Sequence, residues 1–160
     1  MTEKKPAATA AEPQLNLSQF FPYRLSTLEM SVSQAVAQLY TGRFKMTRQE
    51  WRIMAALGSN HSMSAKEIAA HSSLEKMQVS RAISGLKKAE LINQQEDPDD
   101  RRYTKLSLTD KGLNIYRQIV PLALAREAFI LSDLSDEEQQ QLFFLMDKVQ
   151  NKAKELQQCG

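Results

Sequence analysis

Residues 64–92 read "SAKEIAAHSSLEKMQVSRAISGLKKAELI", and the reading of this stretch decides the fold. Ser64 with Glu67, and Ser72 with Glu75, have the spacing of capping boxes, in which a hydroxyl and a carboxylate satisfy the first N–H groups of a helix reciprocally. The spacing predicts two short helices, "AKEIAAH" and "EKMQVSRAISGLKKAE", joined by the tight polar link "HSSL". Two helices so joined form a helix-turn-helix. In the second, Val79 centres a buried face with Glu75, Ala82, Ile83 and Leu86 beside it. The opposite face carries Met77, Ser80, Arg81, Ser84 and Lys88, with Lys76 and Gln78 exposed in the first turn. Gln and Arg can read base edges bidentately, Met can touch a thymine methyl, and Ser and Lys can bind phosphate. Lys76, Gln78 and Arg81 are therefore expected near bases, and Ser80, Ser84 and Lys88 near the DNA backbone. A polar helix face is commonly just a solvated one; the neighbouring elements favour the reading role here.

On the C-terminal side, "LINQQE" (91–96) and "RRYTKLSLT" (101–109) have the pattern of hairpin arms. In the second arm Thr104, Leu106 and Leu108 point one way, and Tyr103, Lys105 and Ser107 the other. Pro98 fits the second position of a tight turn at the tip. On the N-terminal side, "MTRQEWRIMAALG" (46–58) predicts a helix boxed by Thr47 and Glu50 and ended by Gly58. Earlier still, Phe21, Leu25, Leu28, Val32, Val36 and Leu39 mark a helix stopped at Gly42. After the hairpin, a long helix should run from near Thr109 to about Leu131, with a kink or local break at Pro121. The last should begin at Ser135, boxed with Glu138, and carry a narrow seam of Leu142, Met146, Val149, Ala153 and Leu156. The fold class is thus mainly α (α+β). A winged helix-turn-helix at 46–108 is flanked by helices at 18–41 and 109–158, in one domain spanning 18–158. Residues 1–17, rich in Ala, Pro, Thr and Glu, read as a flexible tail. The flanking seams find no partner inside so small a centre, and a second subunit would cover them.

Charge points the same way. Residues 41–117 hold 14 Lys and Arg against 9 Asp and Glu, whereas the rest hold 7 against 10, so the net +2 hides a basic middle between acidic ends. That asymmetry fits a polyanion partner. No apolar run approaches the roughly 18 residues of a membrane span, and the lysines near the N-terminus have no apolar stretch behind them as a secretory signal would. A lone Cys159 fits a reducing cytoplasm. No Gly-rich phosphate loop, metal-spaced His pair or nucleophile with a base is present, so no enzyme, catalytic residue, cofactor or metal site is expected. His61 and His71 lack a neighbouring cysteine or carboxylate cluster that would make zinc ligands of them.

The acids of "EDPDDRRYTKLSLTDKG" (96–112) sit on a hairpin tip without concavity, His or Cys, which disfavours metal binding or catalysis and leaves them as a scaffold for the arginines. "DRRYTKLSLTDKG" resembles the wing signature of the MarR (multiple antibiotic resistance regulator) family: Asp, any residue, Arg, five residues, Leu-Thr, then a short polar run to Gly. The matching positions are Asp100, Arg102, Leu108, Thr109 and Gly112. "QVSRAISGLKKAELI" resembles that family's recognition helix and first wing strand, and the element order agrees across 18–158. Glu90-Leu91 departs from it, standing where members usually carry Gly before the first strand, so the turn there should be tighter or differently capped. The resemblance implies that Arg102 enters the minor groove while Asp100 holds its guanidinium. A narrow groove favours an inserted Arg, and a carboxylate that has already fixed the side chain lowers the entropic cost of binding.

The resemblance further implies a homodimer built on the first and last helices, reading two half-sites of a pseudo-palindromic operator in double-stranded DNA. It also implies a small effector, often aromatic or anionic, bound between those helices and the winged domain. Tyr23, Arg24, Tyr40, Phe44, Trp51, Arg52 and Met54 are the candidates to line that junction. Aromatics with a nearby Arg suit an aromatic acid or its coenzyme A thioester, although Trp51 and Met54 at helical spacing also fit plain core. Peroxide-sensing members carry a cysteine near the start of the first long helix; this chain has none there. The function implied is a sequence-specific regulator, a repressor released from its operator by a small ligand. The alternative is a winged module that docks a protein or binds DNA without sequence choice.

Overall fold

The computed structural model describes residues 14–96 and 104–158, which leaves Pro98, Asp100, Arg102, Tyr103, Cys159 and most of the expected tail outside the described residues. The chain divides into two compact units, the first ending at Gln34 and the second beginning at Ala35. After a short 3-10 turn capped by the Asn16 side chain, helix α1 spans Phe21–Thr41 and stops before Gly42, where the glycine predicts it.

Three helices and a small sheet follow. Helix α2 (Arg48–Asn60) opens with both halves of the expected box: Thr47 N donates to Glu50 Oε2 at 2.8 Å, and Glu50 N to Thr47 Oγ1 at 3.2 Å. It runs two residues past Gly58 and ends at His61, whose φ of 60° turns the chain out. Gly58 is not a stop because it lies against α5 (Asp110–Ile130), where a Cβ would overlap the Tyr116 ring. Ser62–Met63 form a two-residue strand, β1, too short to leave a periodic signal in sequence. Helix α3 (Ala65–Ser72) carries the Ser64–Glu67 box.

The box expected from Ser72 and Glu75 does not form. Ser72 is the last residue of α3 and donates to Ile68 O at 2.6 Å. Helix α4 (Lys76–Lys88) instead starts one step later, with Glu75 as N-cap and Gln78 Oε1 accepting from Glu75 N at 3.1 Å. Glu75 is accordingly exposed and not part of the buried face, while Val79, Ala82 and Leu86 are buried as expected. At its other end α4 closes with two bonds, Glu90 N to Lys87 O and Leu91 N to Leu86 O, both 2.9 Å. These reverse the chain into the sheet.

Strands β2 (Ile92–Glu96) and β3 (Thr104–Leu108) are the arms of the expected hairpin, paired from Ile92–Leu108 to Glu96–Thr104. Strand β1 adds to the far side of β3, so the antiparallel sheet has the order β1-β3-β2. Thr109 ties the wing to α5. Its N–H donates to Leu91 O at 3.0 Å, its hydroxyl donates to Glu90 O at 2.8 Å, and the same oxygen accepts from Gly112 N at 3.0 Å. Gly112 is needed because a Cβ there would overlap the Leu91 carbonyl. Helix α5 runs through Pro121 without the local break its ring allows, and α6 (Asp136–Gln158) starts after the Ser135–Glu138 box.

The core gathers Ile53, Met54 and Leu57 from α2, Ile68 from α3, Val79 and Leu86 from α4, and Leu91, Ile92 and Leu106 around the sheet, with Tyr40 and Ile119 closing it. Burying each large side chain of this kind contributes about 1.5–3 kcal/mol. That core fixes which face of α4 points outward.

Candidate nucleic-acid interface

With Val79, Ala82 and Leu86 turned inward, α4 presents Lys76, Met77, Gln78, Ser80, Arg81, Ser84 and Lys88 to solvent, and all seven are exposed. Met77 is 63% exposed. A large apolar side chain held in water on a cationic helix face fits contact with a base methyl better than it fits packing. The start of α4 settles how Gln78 can act. Its amide oxygen is held by the Glu75 N–H, so the NH₂ end is the part left to reach a base. Ser84 donates to Ser80 O at 3.0 Å, inside the helix's own turn.

The wing is fastened to this helix. Lys87 Nζ donates to Gln94 Oε1 on β2 at 2.6 Å. Lys111 Nζ donates to the Ala89 carbonyl at 2.8 Å, a cation at the negative end of the α4 dipole. Helix α4 and the base of the hairpin therefore share one frame. Asp100 and Arg102, expected at the wing tip, lie outside the described residues.

The residues expected to line a ligand site divide into groups. Tyr40, Trp51 and Tyr116 stack in series, with ring centroids 5.8 and 6.2 Å apart. Tyr40 is buried, and burial pushes its hydroxyl above the usual tyrosine range while Arg48 and Arg52 pull it back. Met54 is fully buried among core residues. Arg52 is half-buried, and Phe44 lies under the Arg43 guanidinium, 5.3 Å from its ring centroid. Tyr23 and Arg24 are exposed on the part of α1 before Gln34.

An open groove of about 540 Å³ lies apart from these stacked rings, lined by Ala35, Leu39, Leu122, Ala125, Phe129 and Ile130 with Arg126 as its one charged residue. Arg126 Nη1 donates to Ala35 O and, at 3.4 Å, to Gln38 Oε1. Sequence reasoning passed over it. The available signal was an arginine, with Glu127 beside it, inside the mostly apolar run "IVPLALAREAFI" (119–130). Among the described residues no group of three or more His, Cys, Asp or Glu is set to hold a metal ion, and no helix is long and apolar enough to cross a membrane.

Residues 46–112 match the model of the winged helix DNA-binding domain family. The HTH-type transcriptional regulator PecS of Dickeya dadantii is 24% identical over 129 residues, 79% of this chain and 77% of its own. A MarR/EmrR family transcriptional regulator from Acinetobacter sp. ADP1 aligns with a TM-score of 0.81 at 27% identity, over 88% of this chain and 99% of that one. The chain carries a winged helix DNA-binding domain and shares its fold with transcription regulators of the MarR family. It is not an enzyme. BpsR of Bordetella bronchiseptica, whose DNA binding is regulated by 6-hydroxynicotinic acid, shares the fold with a TM-score of 0.77 at 20% identity, over 86% of this chain and 98% of its own.

The reversal into β2 holds the residue that departs from the MarR pattern in sequence. Glu90 has φ 60°, the left-handed conformation in which a glycine meets no steric cost. The position carries a residue poorly suited to that conformation.

Proposed function

We propose that the chain is a homodimeric repressor that reads a pseudo-palindromic operator and leaves it when a small aromatic anion binds. The observation that carries the DNA-reading part is the outward face of α4. Six polar or basic side chains and an exposed Met77 lie on one side of a helix whose other side is anchored in the core. The wing, with Arg102 as its minor-groove finger and Asp100 as its clamp, adds a second contact. In this reading residues 18–158 act as one unit, with 18–41 and 109–158 supplying the dimer helices. The apolar side chains bared on both, Leu25 and Leu28 on α1 and Phe144, Met146 and Val149 on α6, support a second copy as their cover. An electrophoretic shift assay against the promoter fragment beside the chain's own gene tests the reading. Retention of that fragment against excess competitor duplex is expected. Equal binding to any duplex would instead make it an architectural module.

For the effector, the geometry favours the Arg126 groove over the stacked rings. Trp51 has Tyr40 and Tyr116 stacked against it, and Met54 has no exposed surface. The groove has the volume of a small-molecule site, apolar walls and one guanidinium, a match for an aromatic acid or its coenzyme A thioester. BpsR, with its aromatic-acid ligand, supports that chemistry. A ligand shifts the equilibrium by its differential affinity for the free and DNA-bound forms. Titrating aromatic acids and thioesters into the promoter complex should release it. Arg126→Ala should blunt release while leaving DNA affinity intact. If Arg24→Ala or Arg52→Ala blunts release and Arg126→Ala does not, the effector sits at the junction expected from sequence.

A further inference from the structure

Gly85 lies inside α4, three residues from its end, where glycine is a weak helix former and alanine a strong one. The reason for it is on the neighbouring helix. Oε1 of Glu50 occupies the space that a Cβ on residue 85 would fill, and Glu50 Cδ would stand 3.3 Å from that atom. The same carboxylate is held from behind: its Oε2 accepts from Thr47 N at 2.8 Å and from Thr47 Oγ1 at 2.9 Å. Glu50 is thus pinned by the first turn of α2 and cannot swing aside without opening that cap. Gly85 stands beside Ser84 and one turn beyond Arg81 on the helix that faces DNA. Any change in the α2–α4 spacing here displaces the whole exposed face.

We infer that Glu50 is a positioning residue for DNA reading, its capped carboxylate seating in the notch at Gly85 and fixing how far α4 stands from α2. Trp51 is the next residue along α2 and belongs to the Tyr40–Trp51–Tyr116 stack. The first turn of α2 therefore links that aromatic packing to the reading helix. A carboxylate seated this close to the helix needs a residue without a Cβ. The inference rests on α4 being the reading helix.

A double-mutant cycle on the full-length chain tests it, using the promoter fragment and an unrelated duplex of equal length. Gly85→Ala should lower preference for the promoter fragment by roughly tenfold, the effect of overpacking one methyl group against a fixed neighbour. Binding to the unrelated duplex, set by phosphate charge, should hold. Glu50→Gln preserves the cap and the contact and should bind as the parent does. The decisive variant is Glu50→Ala with Gly85→Ala. With the carboxylate gone, the new methyl meets open space, so the pair should bind no worse than Glu50→Ala alone and unfold at higher urea than it. Losses that multiply in the double variant overturn the inference, as does a Glu50→Gln that fails while still folded. If Gly85→Ala lowers the urea midpoint but leaves promoter preference unchanged, the inference falls alone, and the functional reading falls with it only if Arg81→Ala on the exposed face also leaves that preference unchanged. A urea midpoint measured for each variant separates these results from simple unfolding.

Discussion

Residues 46–112 and the helices on either side of them handle apolar side chains in opposite ways. In the middle, Ile53, Met54 and Ile68 have no exposed surface, and Met77 is the one large apolar side chain exposed among the described residues of that stretch. Outside it, Phe129 is 80% exposed, Leu156 77% and Phe144 60%, and α6 contains no buried residue. Helix α1 buries Tyr40 alone. Both regions carry the same periodic signal in sequence, with apolar residues at steps of three and four. Periodicity tells which face of a helix needs cover. It does not tell whether the cover comes from the same chain. The middle is a finished core with a polar face turned out, whereas the flanks bare apolar surface of the kind that a partner would cover.

The sharpest way to break this comparison is to damage each region in kind. In the middle, Gly112→Ala sets a methyl against the Leu91 carbonyl, and backbone cannot step aside as a side chain can. Stability should fall by about 3 kcal/mol or more, at or above the usual cost of overpacking, read as a lower midpoint in urea. In the flanks, Met146→Asp should leave circular dichroism of the winged core unaltered and cost roughly 1.5–3 kcal/mol of association per copy instead. Light scattering at micromolar concentration should then report a monomer. A parent that is itself monomeric, or a Met146→Asp chain that unfolds outright, would mean the flanks belong to the same core as the middle.

Next in size is the wing. Arg102→Ala should cost roughly 1–3 kcal/mol of operator binding per wing and flatten the salt dependence by up to about one counterion per wing. Asp100→Ala carries the more telling sign. Removing an acid near a polyanion should tighten binding by simple electrostatics, and only a clamp on Arg102 makes it looser. Asp97→Ala, outside the clamp, should be neutral or tighter. Operator affinity at two salt concentrations for the three variants decides it, and an Asp100→Ala that binds as well as the parent removes the clamp.

Much of the middle was legible because its signals are local. Capping boxes at Thr47, Ser64 and Ser135 sit where their spacing puts them, and the Val79–Ala82–Leu86 face oriented α4 before any coordinates. The failures have local physical reasons too. The Ser72 box lost to a competing pair one step on, because Gln78 can cap Glu75 and leave Ser72 to finish α3. Gly58 read as a stop because a glycine's need for space looks, in sequence, like a need for conformational freedom. Arg126 was missed because its significance lies in Ala35 and Gln38, 91 and 88 residues away. For the ligand candidates spacing says least, since an aromatic that stacks on its own neighbours and one that stacks on a ligand have the same spacing.

The smallest expected effect tests how complete the middle is. The end of α4 has both bonds of a Schellman motif, Glu90 N to Lys87 O and Leu91 N to Leu86 O, with Leu86 and Leu91 both buried as that motif's apolar pair. The motif places Glu90 at φ 60°, where a Cβ is strained. Its carboxylate offers little in return, since the 3.6 Å pair with Lys111 is between side chains 83% and 57% exposed. Glu90→Gly should therefore raise stability by about 1 kcal/mol or somewhat less, because relief of the strain outweighs the unfolded-state entropy that glycine adds against folding. DNA affinity should change little, as the reading face of α4 lies on its exposed turns and not at this reversal. The check is a urea midpoint beside a promoter titration. A Glu90→Gly chain less stable than the parent would mean that the glutamate does more than its exposure implies, and that the core is less complete at the α4–β2 reversal than its buried leucines indicate.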